Sequence, residues 1–131
     1  MNSSFPAALF TFKTWLLSAL IFALPCQAEK VVATYYSAEG NTEIIDNMPA
    51  AQLTHVLYAF LAVCGNNQGA PETTQQAIKK ACKDKPPFTA VLFNKAQAEK
   101  ELQHFKKLKK QHPHLILLPS FGGWTLSYPY Q

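Results

Sequence analysis

The stretch that most constrains this chain is Leu115-Ile116-Leu117-Leu118-Pro119-Ser120-Phe121-Gly122-Gly123-Trp124. Four aliphatic residues in succession read as a strand buried on both faces, which is the demand of a parallel sheet. The run breaks at two glycines, which permit backbone conformations and close approaches that a Cβ forbids. An aromatic follows at once. Because a (β/α)₈ barrel builds its active site at the C-terminal ends of its strands, a strand ending this way reads as ligand-facing. A core strand followed by a simple Gly-Gly turn fits the same residues.

Two further stretches bear on that choice. Lys30-Val31-Val32-Ala33-Thr34-Tyr35-Tyr36 is β-branched and aromatic, and Leu53-Thr54-His55-Val56-Leu57-Tyr58-Ala59-Phe60 follows Met48-Pro49-Ala50. With Ser120-Phe121-Gly122-Gly123-Trp124, they resemble the first three strands of family-18 glycosidases, the bacterial secreted chitinase A type in particular. The resemblance runs from about Lys30 to Tyr130, with three motifs in the family's order. It implies an α/β fold, an incomplete TIM (β/α)₈ barrel of about three strands with a long insertion between the second and third. A closed barrel needs about 250 residues, and this chain has 131.

The family's catalytic signature, Asp-x-x-Asp-x-Asp-x-Glu at the end of the fourth strand, does not occur in the sequence. The expectation is therefore the front of a chitinase without its catalytic acid, inactive alone. Family-18 enzymes depart from the usual two-carboxylate scheme. They use the substrate's N-acetyl carbonyl as nucleophile and need one protonated acid with an acidic partner. Glu99 and Glu101 are read as the polar side of a helix and Glu39 as a loop residue, so no catalytic residue is assigned.

The resemblance carries substrate-binding roles residue by residue. Tyr35 and Phe60 would lie beneath the sugar in the barrel interior, and Trp124 would offer a face on the leaving-group side. Ser120 would hydrogen-bond within the carboxylate network, while Gly122 and Gly123 leave room beside the substrate. Unlike processive chitinases, the loop Ser37–Asn41 has no aromatic. Alternation puts Tyr58 with Phe60 on the interior face, and Leu57, Ala59 and Leu61 against helices.

Residues 1–28 have the form of a secretory signal peptide: Lys13, a ten-residue apolar core from Trp15 to Leu24, and the exit Cys26-Gln27-Ala28. The core is too short to span a bilayer as a helix. The expected product is residues 29–131, secreted to the extracellular space or periplasm, with no stable membrane anchor. Only Cys64 and Cys82 then remain. In an oxidising compartment they form an even pair, and the resemblance implies a disulfide between them. The spacing of Cys and His suggests no metal, and no cofactor is expected.

Loss of Lys13 leaves 11 lysines against 8 acids, a net +3, and there is no arginine. Guanine readout and phosphate forks favour Arg, so no nucleic-acid partner is expected. Lys106, Lys107, Lys109 and Lys110 read as a solvated helix end. Between the second and third strands, Glu72–Cys82 reads as a short helix and Phe88–Phe93 as an extended candidate. Asn94 and Gln97 read as a capping box, opening a helix whose apolar stripe is Ala98, Leu102, Phe105 and Leu108.

The expected partner is chitin or a chito-oligosaccharide. Two other readings stay open: a non-catalytic, lectin-like chitin binder, and a fragment that pairs with a separately encoded remainder of the barrel. Three parallel strands leave two unpaired edges, so poor cooperative folding alone is expected.

Overall fold

A computed structural model describes residues 30–130. The expected signal peptide, residues 1–28, lies outside the described residues. Among the described residues, four strands and four α-helices follow in the order β1 (Ala33–Ser37), α1 (Thr42–Asp46), β2 (His55–Val63), α2 (Glu72–Ala81), β3 (Ala90–Val91), α3 (Lys95–Gln111), β4 (Ile116–Phe121) and α4 (Gly123–Leu126), with short 3-10 turns at Ala50–Gln52 and Tyr128–Tyr130.

The sheet is mixed. β2 lies at its centre, parallel to β1 on one side and to β4 on the other. Tyr36 is in register with Tyr58, and Leu57 with both Tyr35 and Leu118. The far end of β2 also pairs antiparallel with β3, Ala62 opposite Val91. Phe88–Phe93 is thus a two-residue edge strand among turns rather than a full strand. Pro86-Pro87, which precedes it, cannot donate to a ladder. The expected third strand is β4.

One face of the sheet is covered by α1 and α3. Tyr36, Val56, Tyr58 and Leu115 pack there with Ile45, Phe105 and Leu108 in one core cluster. Phe105 meets Tyr36 edge-on at 5.1 Å between centroids, and Tyr58 at 6.1 Å. Each such large side chain removed from water contributes about 1.5–3 kcal/mol. A second cluster, Ala62, Cys64, Ile78, Val91 and Leu126, joins α2, β3 and α4 to the end of β2. A disulfide joins Cys64 to Cys82 there, with Cα atoms 5.5 Å apart.

Several expectations change. α3 buries Ala98, Glu101, Phe105 and Leu108, while Leu102 is exposed. The steps of 3, 4 and 3 residues describe a straighter stripe than the one through Leu102. Glu101 was excluded from it only by its charge. Asn94 makes no capping bond; its side-chain amide donates to Gln97 Oε1 at 2.6 Å. Lys109 is not simply solvated, since its ammonium donates to the Leu115 carbonyl at 2.6 Å.

β4 is not buried on both faces. Leu115, just before it, is buried and Leu117 packs partly against the core, but Ile116 and Leu118 are each 43 % exposed, because no described element covers the second face. That open face carries the candidate site.

Candidate functional site

Alternation along β1 sends Tyr36 to the helix-covered face and Tyr35 to the open one. They are 1 % and 62 % exposed. Along β2 the alternation breaks. The register shifts between Tyr58 and Leu61, where Tyr58 opposes Pro119 but Leu61 opposes Phe121. One extra residue is accommodated there, and the Ala59–Phe60 peptide bond is cis. Tyr58 and Leu61 therefore share the helix-covered face, while Phe60, 44 % exposed, joins Tyr35 and Leu57. Tyr58 is thereby corrected from the interior lining to the core, and Leu57 moves to the open face. Period-two reading carries no sign of a bulge, so it assigned Tyr58 and Phe60 to one side.

Tyr35 and Phe60 form one aromatic surface, with ring centroids 5.8 Å apart and planes tilted by 38°. Phe60 is seated on the β4–α4 turn. A Cβ on Gly123 would lie 3.0 Å from Phe60 Cγ, and the backbone there has φ +77°. The room that Gly123 leaves is therefore filled by the Phe60 ring. The turn is held to β2 by the Gly122 N–H, which donates to the Leu61 carbonyl at 3.1 Å. Ser127 Oγ, which donates to the Gly123 carbonyl, braces it from α4.

Trp124 stands at the start of α4, 96 % exposed. With Gly69, Gly123, Ser127 and Tyr128 it lines an open cleft of about 530 Å³. Phe60 reaches a second hollow of about 290 Å³ with Glu39, Phe93, Asn94 and Gln97. Ser120 is half-buried on β4, on the side of Ile116 and Leu118 by alternation. The structure thus connects Tyr35, Phe60 and Gly123 directly, continues to Trp124 through the chain, and places Ser120 and Gly122 on the same strand end.

Carboxylates are scarce on this face. Glu39, past the end of β1, accepts from Ser37 Oγ at 2.8 Å. Glu101 lies on the other face, 0 % exposed, hydrogen-bonded to Tyr36 and Tyr58. It is not on the polar side of its helix. Burial foremost, then the hydrogen bond to Glu101 and its charge, pushes both tyrosine hydroxyls well above their usual range. Among the described residues no group of three His, Cys, Asp or Glu could hold a metal. The arrangement offers flat apolar faces for a ligand, as aromatic rings do, without a paired acid and base.

Residues 31–131 match the family described as glycosyl hydrolases family 18. The chain belongs to that family. It is 30% identical over 125 residues to a chitinase of Autographa californica nuclear polyhedrosis virus, covering 78% of this chain and 23% of the relative. It is 29% identical over 109 residues to chitinase A of Pseudoalteromonas piscicida, covering 70% and 13%. A probable endochitinase of Orgyia pseudotsugata multicapsid polyhedrosis virus is 31% identical over 124 residues, covering 77% and 22%. The chain spans less than a quarter of the length of these relatives.

For this family-18 chain, sequence reading missed the reverse side of the platform: Glu101, Gln97 and the paired hydroxyls of Tyr36 and Tyr58. The one signal was the 3-4-3 spacing of Ala98, Glu101, Phe105 and Leu108.

Proposed function

We propose that these residues form an aromatic part of a chitin-binding groove in a family-18 glycosidase, with Tyr35, Phe60 and Trp124 as its sugar-contacting faces. The observation that carries this reading is the exposure of these three rings around one strand end, in a chain similar to proteins named chitinases. Ser120 would reach the catalytic carboxylates where such a network is present. Hydrolysis by the family's substrate-assisted route needs a proton donor with an acidic partner, and the acid signature does not occur in these 131 residues. The chain by itself is therefore expected to bind the polymer without cleaving it. The absent acid's contribution alone is on the order of 10²–10⁴ in rate.

A second reading is favoured by the open face. Ile116 and Leu118 are exposed on β4, and β1 and β4 each pair only with β2 among the described strands. Exposed apolar strands of this kind recruit further strands, so a remainder of the barrel is the natural partner. Export with removal of residues 1–28 belongs to the same proposal, and N-terminal sequencing of exported material should begin at Glu29.

The test is retention on chitin beads against cellulose beads, alongside release from a fluorogenic chitobioside. Chitin-selective retention, lost in Trp124→Ala, with no release above blank, is expected. Equal retention on both polymers would sink the binding half. Turnover persisting through purification to homogeneity would sink the catalytic half.

A further inference from the structure

The buried carboxylate of Glu101 sits in a cage made of donors. It accepts from the Tyr36 hydroxyl at 3.0 Å, the Gly40 N–H at 2.5 Å, Gln97 Nε2 at 3.3 Å and the Tyr58 hydroxyl. Desolvating a carboxylate costs several kcal/mol unless such donors compensate it. A stripe position on α3 would otherwise take an aliphatic side chain, so the charge is held there for what it binds.

What it binds is the backing of the aromatic platform. The Tyr36 hydroxyl also reaches the Asn41 carbonyl at 3.1 Å, and Gln97 Nε2 donates to the Ala38 carbonyl at 2.6 Å. Gly40 presents its N–H to the carboxylate from φ +92°, a conformation that favours glycine. One carboxylate and the glutamine a helical turn before it thus hold Gly40 and Ala38 in the loop after β1. Tyr36 adjoins Tyr35 in the chain, and Tyr58 precedes the bulge that turns Phe60 outward. Both platform rings are therefore attached, one and two residues away, to side chains that Glu101 holds.

We propose that Glu101 is a positioning residue that sets the Tyr35–Phe60 platform, and the loop beside it, for a chito-oligosaccharide. The proposal rests on the sugar-binding reading above. It acts through Tyr36, Tyr58 and Gly40 from the reverse side of the sheet and touches no sugar itself.

Glu101→Gln keeps the volume and replaces one acceptor by an amide that faces donors. Hydrogen exchange by mass spectrometry on the full chain, with titration of N,N′,N″-triacetylchitotriose, tests it. Exchange over Ser37–Asn41 should rise about tenfold and the affinity fall about tenfold, the scale of one lost hydrogen bond to a charged group. Exchange over Glu72–Ala81, a helix that Glu101 does not bond, should stay unchanged. Equal acceleration in both segments would reduce Glu101 to a general stability role and overturn the proposal, as would an unchanged loop. Should the variant fail to fold, Gln97→Ala removes the peripheral donor and should give the same loop-specific acceleration at about threefold, and its absence overturns the proposal. Undiminished triose affinity after E101Q overturns this proposal alone, whereas no binding by the unsubstituted chain overturns the sugar-binding reading and this with it.

Discussion

Tyr35 and Tyr36 are adjacent, identical in type and on one strand, yet the first is 62 % exposed and the second 1 %. The two faces of the sheet differ in the same way throughout. Behind it, Tyr36, Tyr58, Phe105 and Glu101 interlock through edge-on rings and hydrogen bonds. In front, Tyr35, Phe60 and Trp124 present rings to solvent. The difference teaches that the same strands can pack a core on one face and leave aromatic rings in solvent on the other. The rear face buries the large side chains of the core, and the front face carries the rings of the proposed sugar site.

The largest break in that comparison should come from the rear. Phe105→Ala removes the ring on which Tyr36 and Tyr58 both pack, a loss of about 4 kcal/mol for a buried phenylalanine. Exchange of the β2 backbone amides should accelerate about a thousandfold on that account. Acceleration of less than tenfold would mean that the rear face does not carry the core.

High pH should act on the same face more gently. Tyr36 and Tyr58 have folded-state pKa values above their unfolded value of 10.0, through burial first and Glu101 second. The neutral hydroxyl is thus favoured in the fold. Its contribution is fully present below about pH 10 and is lost as pH rises beyond it, because only the unfolded chain then gains from ionising. A tyrosinate absorbance titration should show late-ionising tyrosines that unfold the chain as they titrate. Simple titration of every tyrosine near pH 10 would contradict the enclosed pair.

The smallest effect on stability should come from the front. Trp124→Ala, at a side chain almost fully exposed, should change stability by less than about 0.5 kcal/mol, while weakening triose binding about tenfold or more. Unchanged β2 exchange together with lost binding would sharpen the division of faces. A large loss of protection would show that Trp124 belongs to the core.

Much of the fold was legible because its signals are local. β1, β2 and α2 overlap the stretches Lys30–Tyr36, Leu53–Phe60 and Glu72–Cys82 to within about three residues at each end, since β-branched alternation and the stop at Pro86-Pro87 act over a few residues. Family likeness singled out Tyr35, Phe60 and Trp124, and the structure exposes all three; their roles toward a sugar remain those of the proposal. The bulge at Tyr58–Leu61 was not legible: it arises from the fit of β2 between two neighbours, and its position depends on β4. The charge at 101 misled for a related reason. A glutamate is normally placed outside, and only four donors converging from β1, β2, the β1–α1 loop and α3 itself make its burial tolerable.

The sequence by itself determined β1, β2 and β4, the helix α3, the Gly-Gly turn and family-18 membership, all of which follow from short patterns and their order. Tertiary structure alone decided that Tyr58 turns into the core while Phe60 stays on the open face with Tyr35, and that Glu101 lies buried against the hydroxyls of Tyr36 and Tyr58. Those outcomes depend on pairing register and on donors far apart in the chain, and no local pattern encodes either.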